Sequence, residues 1–310
     1  MSFEQTISAN LVDNGKLLDL EDKNIGIEEL RLLAASKELS DVEQLYLSQN
    51  QLCGEAIEIL CQVKCLTGLT SLYLNHNIIG DEEAKSLAQA DLLKNLKCIM
   101  LEANNIGPKG AAALAESPNL QNMEIIFLDS NPIGPEGARA IAASEKWPNL
   151  KALHLDSTAI DDEGIVALAE SKNLSELQKL YLCSNKMGDN GAIAIANSPY
   201  LKNLTALSIW RNEIRDEGGK AIAESKTFLN LDRLYMSLNF IERPVRKIIR
   251  GSELAKRLTT LVMDCAIMTK ENKDDYEYSH TKFFNVFFHI GVIFNVLLVI
   301  WMVLVYTGVL

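Results

Sequence analysis

The sequence predicts an α/β solenoid followed by an apolar C-terminal helix. Three observations carry that prediction. Counting in steps of 27 from Leu18 reaches Leu45, Leu72, Ile99, Ile126, Leu153, Leu180, Leu207, Leu234 and Leu261, an unbroken aliphatic column. Within each step the apolar spacing changes from strand-like to helix-like, so each turn holds one strand and one helix. The last stretch, 283–310, contains no Asp, Glu, Lys or Arg. A unit this short cannot bury its own apolar side and is stable only when stacked on its neighbours.

The chain divides on this reading into a cap (1–17), a repeat domain (18–267), a polar linker (268–282) and a transmembrane helix (283–310). In the cap, Phe3, Ile7 and Leu11 recur every four residues, the spacing of a short amphipathic helix. Met1 to Asn10 lacks the basic-then-apolar pattern of a secretion signal.

Each strand places its first and third positions on the buried face, because side chains alternate. The third column reads Leu20, Leu47, Leu74, Leu101, Leu128, Leu155, Leu182, Ile209, Met236 and Met263. Three residues later comes Asn50, Asn77, Asn104, Asn131, Asn185, Asn212 and Asn239, with Thr158 breaking the column. A buried amide at the strand end satisfies backbone groups that the bend leaves unpaired. The helical part carries Leu33, Leu60, Leu87, Leu114, Ile141, Leu168, Ile195, Ile222 and Ile249, followed by small residues such as Ala88, Ala115 and Ala142. Gly110, Gly137, Gly164, Gly191 and Gly218 are expected just before these helices.

These columns resemble the leucine-rich repeat family, in its ribonuclease-inhibitor-like class with a full helix per turn. The resemblance runs from about Leu17 to Ala266. It implies a horseshoe with parallel strands on the concave side and helices on the convex side, and a protein that binds other proteins. It does not fix an activity.

On that architecture the second strand position points out of the sheet. It reads Asp19, Tyr46, Tyr73, Met100, Phe127, His154, Tyr181, Ser208, Tyr235 and Val262, holding four of the eight tyrosines. The fourth position reads Glu21, Ser48, Asn75, Glu102, Asp129, Asp156, Cys183, Trp210, Ser237 and Asp264, with no Lys or Arg. An aromatic stripe beside an acidic one suits a partner with basic and apolar groups. The expected anchors are Tyr46, Tyr73, Phe127, His154, Tyr181, Trp210 and Tyr235, with Glu102, Asp129 and Asp156 steering. The competing expectation is that the rings favour strands and pack on one another.

Other chemistry finds less support. The net charge of −11 and pI near 5.0 disfavour nucleic acid. The six cysteines form no C-x-x-C pair, and no metal or cofactor set is present in the sequence. His154, Asp156 and Cys183 lie close on adjacent strands. Thiol and imidazole are diagonal neighbours there, too far apart for a nucleophilic pair. An enzyme is therefore not expected. Some proteins with similar repeats activate small GTPases, so regulation of a GTPase is the alternative, with Arg211 and Arg215 as the residues to consider.

As a helix, 283–310 would measure about 42 Å against a hydrocarbon core of about 30 Å. Trp301 and Tyr306 suit the far interface. A span made last resembles that of tail-anchored proteins, which leaves the repeats in the cytosol. The last full turn is basic, with Arg243, Arg246, Lys247, Arg250, Lys256 and Arg257. It suits either an anionic leaflet or a polar end cap. The reading is a membrane-tethered scaffold for a protein partner. An organelle protein and a bacterial effector delivered into a host cell both fit.

Overall fold

The computed structural model describes residues 3–36 and 39–263. The first unit, Met1–Met263, contains all the described residues. The linker and membrane span expected over 268–310 lie outside the described residues. Among the described residues no helix is long and apolar enough to cross a membrane.

The first unit opens with helix α1 (Phe3–Asn10) and strand β1 (Leu11–Val12), which runs antiparallel to β2 (Leu17–Asp19). The cap is thus a helix plus an antiparallel strand, a correction to the helix-only cap expected over 1–17. Pairing Leu11 with Leu18 covers the first edge of the sheet, which would otherwise offer unpaired backbone groups.

Nine further strands follow in parallel: β3 (Gln44–Tyr46), β4 (Ser71–Tyr73), β5 (Cys98–Met100), β6 (Ile125–Phe127), β7 (Ala152–His154), β8 (Lys179–Tyr181), β9 (Ala206–Ser208), β10 (Arg233–Tyr235) and β11 (Thr260–Val262). Each residue pairs with the one 27 positions on, as in Leu72 with Ile99 and Tyr73 with Met100. The helices between them are α2 (Ile27–Ala35), α3 (Gly54–Cys61), α4 (Asp81–Gln89), α5 (Pro108–Ala115), α6 (Gly134–Ala143), α7 (Asp162–Ala169), α8 (Asp189–Ala196), α9 (Asp216–Glu224), α10 (Arg243–Gly251) and the short α11 (Glu253–Arg257). The core lies between sheet and helices. The central strand residues from Leu18 to Leu234 and the helix column from Leu33 to Ile249 are buried there, and Leu261 of the last strand is half-buried against them.

The glycines at 110, 137, 164, 191 and 218 sit inside the first helical turn, not before it. They are small because the preceding helix is close. A Cβ on Gly164 would come within 2.9 Å of the Ala138 methyl. In the last full turn Val245 takes this position, inside α10 and buried.

Turn is held to turn by polar ladders. The Asn212 Oδ1 accepts from the N–H groups of Asn185 (2.9 Å) and Met187 (3.1 Å). Its Nδ2 donates to the oxygens of Leu182 and Ile209. Asn50 and Asn77 repeat the pattern. At the helix N-termini, Asp81 Oδ1 accepts from Gly107 and Gly110 in the next turn. Asp162 does the same for Gly188 and Gly191, and Asp189 for Arg215 and Gly218. A carboxylate there satisfies orphan N–H groups and complements the positive helix end. At the C-termini, the hydroxyls of Ser117, Ser144, Ser171, Ser198 and Ser225 donate to Ala88, Ala115, Ala142, Ala169 and Ala196 oxygens.

Thr158 interrupts the Asn ladder with a local consequence. Its hydroxyl donates to Leu155 O and lies 3.0 Å from Asn185 Oδ1. In the turn before it, the Ile133 N–H bonds to Asn131 O and the Gly134 N–H to Thr158 O. Gly134 is then left-handed at φ 64°, and α6 begins one residue early relative to its neighbours.

Candidate protein-binding face

Side chains at the second strand position emerge on the sheet face opposite the helices. Tyr46, Tyr73, Phe127, His154, Tyr181 and Tyr235 are half-buried there, and Trp210 is 38% exposed. The parallel register brings successive rings side by side. Tyr46 and Tyr73 stack at 3.9 Å between centroids and 8° between planes. Phe127 stacks on His154 at 3.8 Å, and His154 on Tyr181 at 4.1 Å. Lateral ring packing and partial exposure therefore coexist. Each ring shields its neighbours' faces and turns an edge outward. Met100 separates the two stacks, and Ser208, buried between Tyr181 and Tyr235, ends the second.

The stacking has an electrostatic effect. Burial pushes the His154 imidazole down to about 4, with the Lys179 charge adding to the shift, so the ring is neutral at physiological pH. Its Nδ1 lies 3.9 Å from Asp129 Oδ2, beyond hydrogen-bond range.

The acidic stripe differs from a solvated one. Glu102, Asp129 and Asp156 are half-buried. Asp129 Oδ1 accepts the Asp156 N–H at 2.6 Å, and Asp156 Oδ1 accepts the Cys183 N–H at 2.6 Å. Asn75 does the same for Glu102 at 2.9 Å. Each side chain thus closes the strand ladder where the sheet bends away. Burial pushes the Asp129 carboxyl up to about 7, against the backbone hydrogen bond and reinforced by Asp156 and Glu102. Burial raises Asp156 as well.

Cys183 is buried, and its Sγ lies 3.0 Å from Ser208 Oγ. Burial and the neighbouring Asp156 charge push its thiol up, away from the thiolate a nucleophile needs. The described cysteines are free, and no group of His, Cys, Asp and Glu among the described residues is arranged to hold a metal ion. Arg211 is exposed at the strand end, and the Arg215 guanidinium lies 5.6 Å from the Phe240 ring centroid.

Sequence reasoning missed one feature of this rim. The residue after the fourth strand position is left-handed throughout: Asp22, Gln49, His76, Ala103, Ser130, Ser157, Ser184, Arg211 and Leu238, with φ between 51° and 61°. No glycine marks the column. The N–H of each of the first eight bonds to the next turn, as in Ala103 to Asp129 O at 2.9 Å, which offsets about 1 kcal/mol of local strain.

Parallel strands in 27-residue register, with helices on one side and, on the other, a sheet face that no element of the described residues covers, define a repeat protein of the solenoid class. It is a leucine-rich repeat protein. Six segments match the leucine-rich repeat family: 66–88, 93–115, 119–142, 148–169, 174–196 and 200–223. The turns before and after them continue the same register. No curated protein matches the sequence significantly. Repeats of this family are protein–protein interaction modules.

Proposed function

We propose that this protein is a membrane-tethered recognition scaffold whose sheet face opposite the helices holds one protein partner. The observation that supports this most is the Phe127–His154–Tyr181 stack. It is a stacked, partly exposed aromatic surface with a carboxylate row along one edge, and Trp210 is exposed at the fourth position two strands on from His154. Such rings bury large area at low entropic cost, and neighbouring charges set orientation. Tyr46, Tyr73 and Tyr235 extend the surface, while Glu102, Asp129 and Asp156 favour a basic partner segment.

The tether is the uncharged stretch 283–310, long enough to cross a bilayer. It would hold the repeats at a cytosolic membrane surface and raise the effective concentration of partners on that membrane. Both host-directed effector and resident organelle protein are compatible with this arrangement. The ribonuclease-inhibitor-like class fits the full helix in most turns. Regulation of a small GTPase rests on family resemblance alone, and Arg215 is already engaged with Phe240.

The test is affinity capture with full-length protein in detergent micelles. Replacing Tyr73, Phe127 and Tyr181 by Ala should abolish capture while the circular dichroism spectrum is retained. Capture that survives the triple replacement places the partner elsewhere.

A further inference from the structure

The aromatic ladder on the sheet face has a missing rung. On adjacent strands its rings stack at 3.8 to 4.1 Å between centroids. The column then passes from Tyr181 to Ser208 to Tyr235 in unbroken register. Tyr181 and Tyr235 therefore stand two strands apart, about 9.6 Å along the sheet. Among the described residues they do not stack on each other. Their separation is about twice one stacking distance, so one planar group fits between them. Met100, the other interruption, brings a long side chain to its place. Ser208 does not, because it is small and buried and its Oγ lies 3.0 Å from Cys183 Sγ.

The charge beside this slot is opposite to that of Glu102, Asp129 and Asp156. Lys179 and Arg233 pair in register with Ala206, which is buried between them. The two cations flank Ala206 as the two tyrosines flank Ser208, two residues along the same strand. Burial raises the Tyr181 phenol, and the Arg233 charge opposes that rise from two strands away, so the guanidinium acts at the slot. Arg233 Nε is enclosed and makes no hydrogen bond, with Asp232 Oδ2 3.9 Å away. The Arg233 side chain is nevertheless 41% exposed and open to an incoming group. An unmet donor is costly, and a carboxylate is the acceptor that suits a guanidinium best.

We infer that the slot between Tyr181 and Tyr235 takes an aromatic side chain of the protein that docks on this face, and that Lys179 and Arg233 hold an acidic residue next to it in that protein's chain. The occupant follows from shape and charge. A ring completes the stack on both of its faces, which an aliphatic side chain cannot do. The acid meets two cations, one of them short of an acceptor. With carboxylates on β5 to β7 and cations on β8 and β10, the face also sets the direction in which the partner lies. This inference rests on the docking reading and adds to it a particular partner residue and its neighbour.

The probe is the peptide N-acetyl-Asp-(para-fluorophenylalanine)-Asp amide, titrated with full-length protein in nonionic micelles and followed by fluorine NMR, with empty micelles as the blank. It should bind, and N-acetyl-Asp-Leu-Asp amide should compete for the site at least about threefold less well than its phenylalanine counterpart. Ser208→Phe supplies the missing ring from within. It should keep or raise the melting temperature and weaken peptide binding about tenfold or more. Ser208→Ala leaves the slot open and should change affinity less than about twofold. Lys179→Gln/Arg233→Gln should weaken the peptide about fivefold, whereas the helix-side control Lys109→Gln/Lys220→Gln should change it less than about twofold. A wild type that does not bind the probe, a Ser208→Phe variant that melts more than about 5 °C lower, or equal losses in the two charge variants overturns the inference. If replacing Tyr73, Phe127 and Tyr181 abolishes partner capture while Ser208→Phe leaves capture and peptide binding intact, the slot fails and the docking face stands. If capture survives the ring replacement, the docking reading falls and this inference falls with it, whatever the peptide does.

Discussion

Asn212 Oδ1 accepts the backbone N–H of Asn185, one full turn earlier, at 2.9 Å. That single bond states how the solenoid is held. A side chain in one turn completes the backbone of another, so no turn is satisfied alone.

Asn212→Ala should therefore be severe. It strands two N–H donors and two carbonyls in a site where Asn212 is 4% exposed. The expected loss is about 3 kcal/mol or more, read as the shift in the urea midpoint. A loss below about 1 kcal/mol would show that water enters and replaces the amide.

Thr158 and Gly134 should be energetically coupled. Gly134→Ala alone should cost about 1 kcal/mol, because its φ of 64° is strained for alanine and its Cβ would meet open space or ordinary contacts. Thr158→Asn supplies the missing amide and lets the preceding turn adopt the geometry of its neighbours. In that background the cost of Gly134→Ala should shrink. A double-mutant cycle with no coupling would separate the two features.

Ser171→Ala tests the helix C-terminal ladder. The hydroxyl donates to Ala142 O and accepts from the Asn173 N–H, and the site is buried. A destabilisation of about 1–2 kcal/mol is expected in thermal unfolding. The same substitution at an exposed serine such as Ser130 should stay within about 0.5 kcal/mol.

The open face should give stability two opposing pH slopes. Asp129 is raised to about 7 in the folded chain, so between about pH 4 and 7 the native state holds a proton that the unfolded state has released. Its contribution falls as pH rises through that window. His154 is lowered to about 4, so between about pH 4 and 6.5 the unfolded state holds the extra proton. That contribution rises with pH and is lost as pH falls through about 4. Asp129→Asn should remove the first slope, leaving the variant more stable than wild type at about pH 8, on the order of a few kcal/mol, and little changed at about pH 4. His154→Gln should remove the second. Parallel stability profiles for wild type and Asp129→Asn would show that Asp129 is solvated.

Much of this was legible in sequence because the repeat multiplies each signal. Leu72 alone says little, but ten aliphatic residues in register define a strand column, and seven asparagines define where each strand turns. The edge strand Leu11–Val12 was not legible, since two residues carry no period. Neither was the left-handed column, because Asp22, His76, Arg211 and Leu238 share no chemistry. Asp81, Asp162 and Asp189 stood in the sequence as unremarked helix starts, and their partners are 26 and 29 residues away.

By itself the sequence determined the stack, its register and which side chains share the sheet face opposite the helices. Those follow from periodicity, and a period of 27 leaves a strand–helix turn no other way to bury its leucines. Tertiary structure alone decided what the shared face became. The rings lie on one another, His154 is held neutral, and Asp129 is too enclosed to ionise freely. These properties belong to neighbours brought together across turns, and desolvation by such neighbours is set by packing that no single repeat encodes.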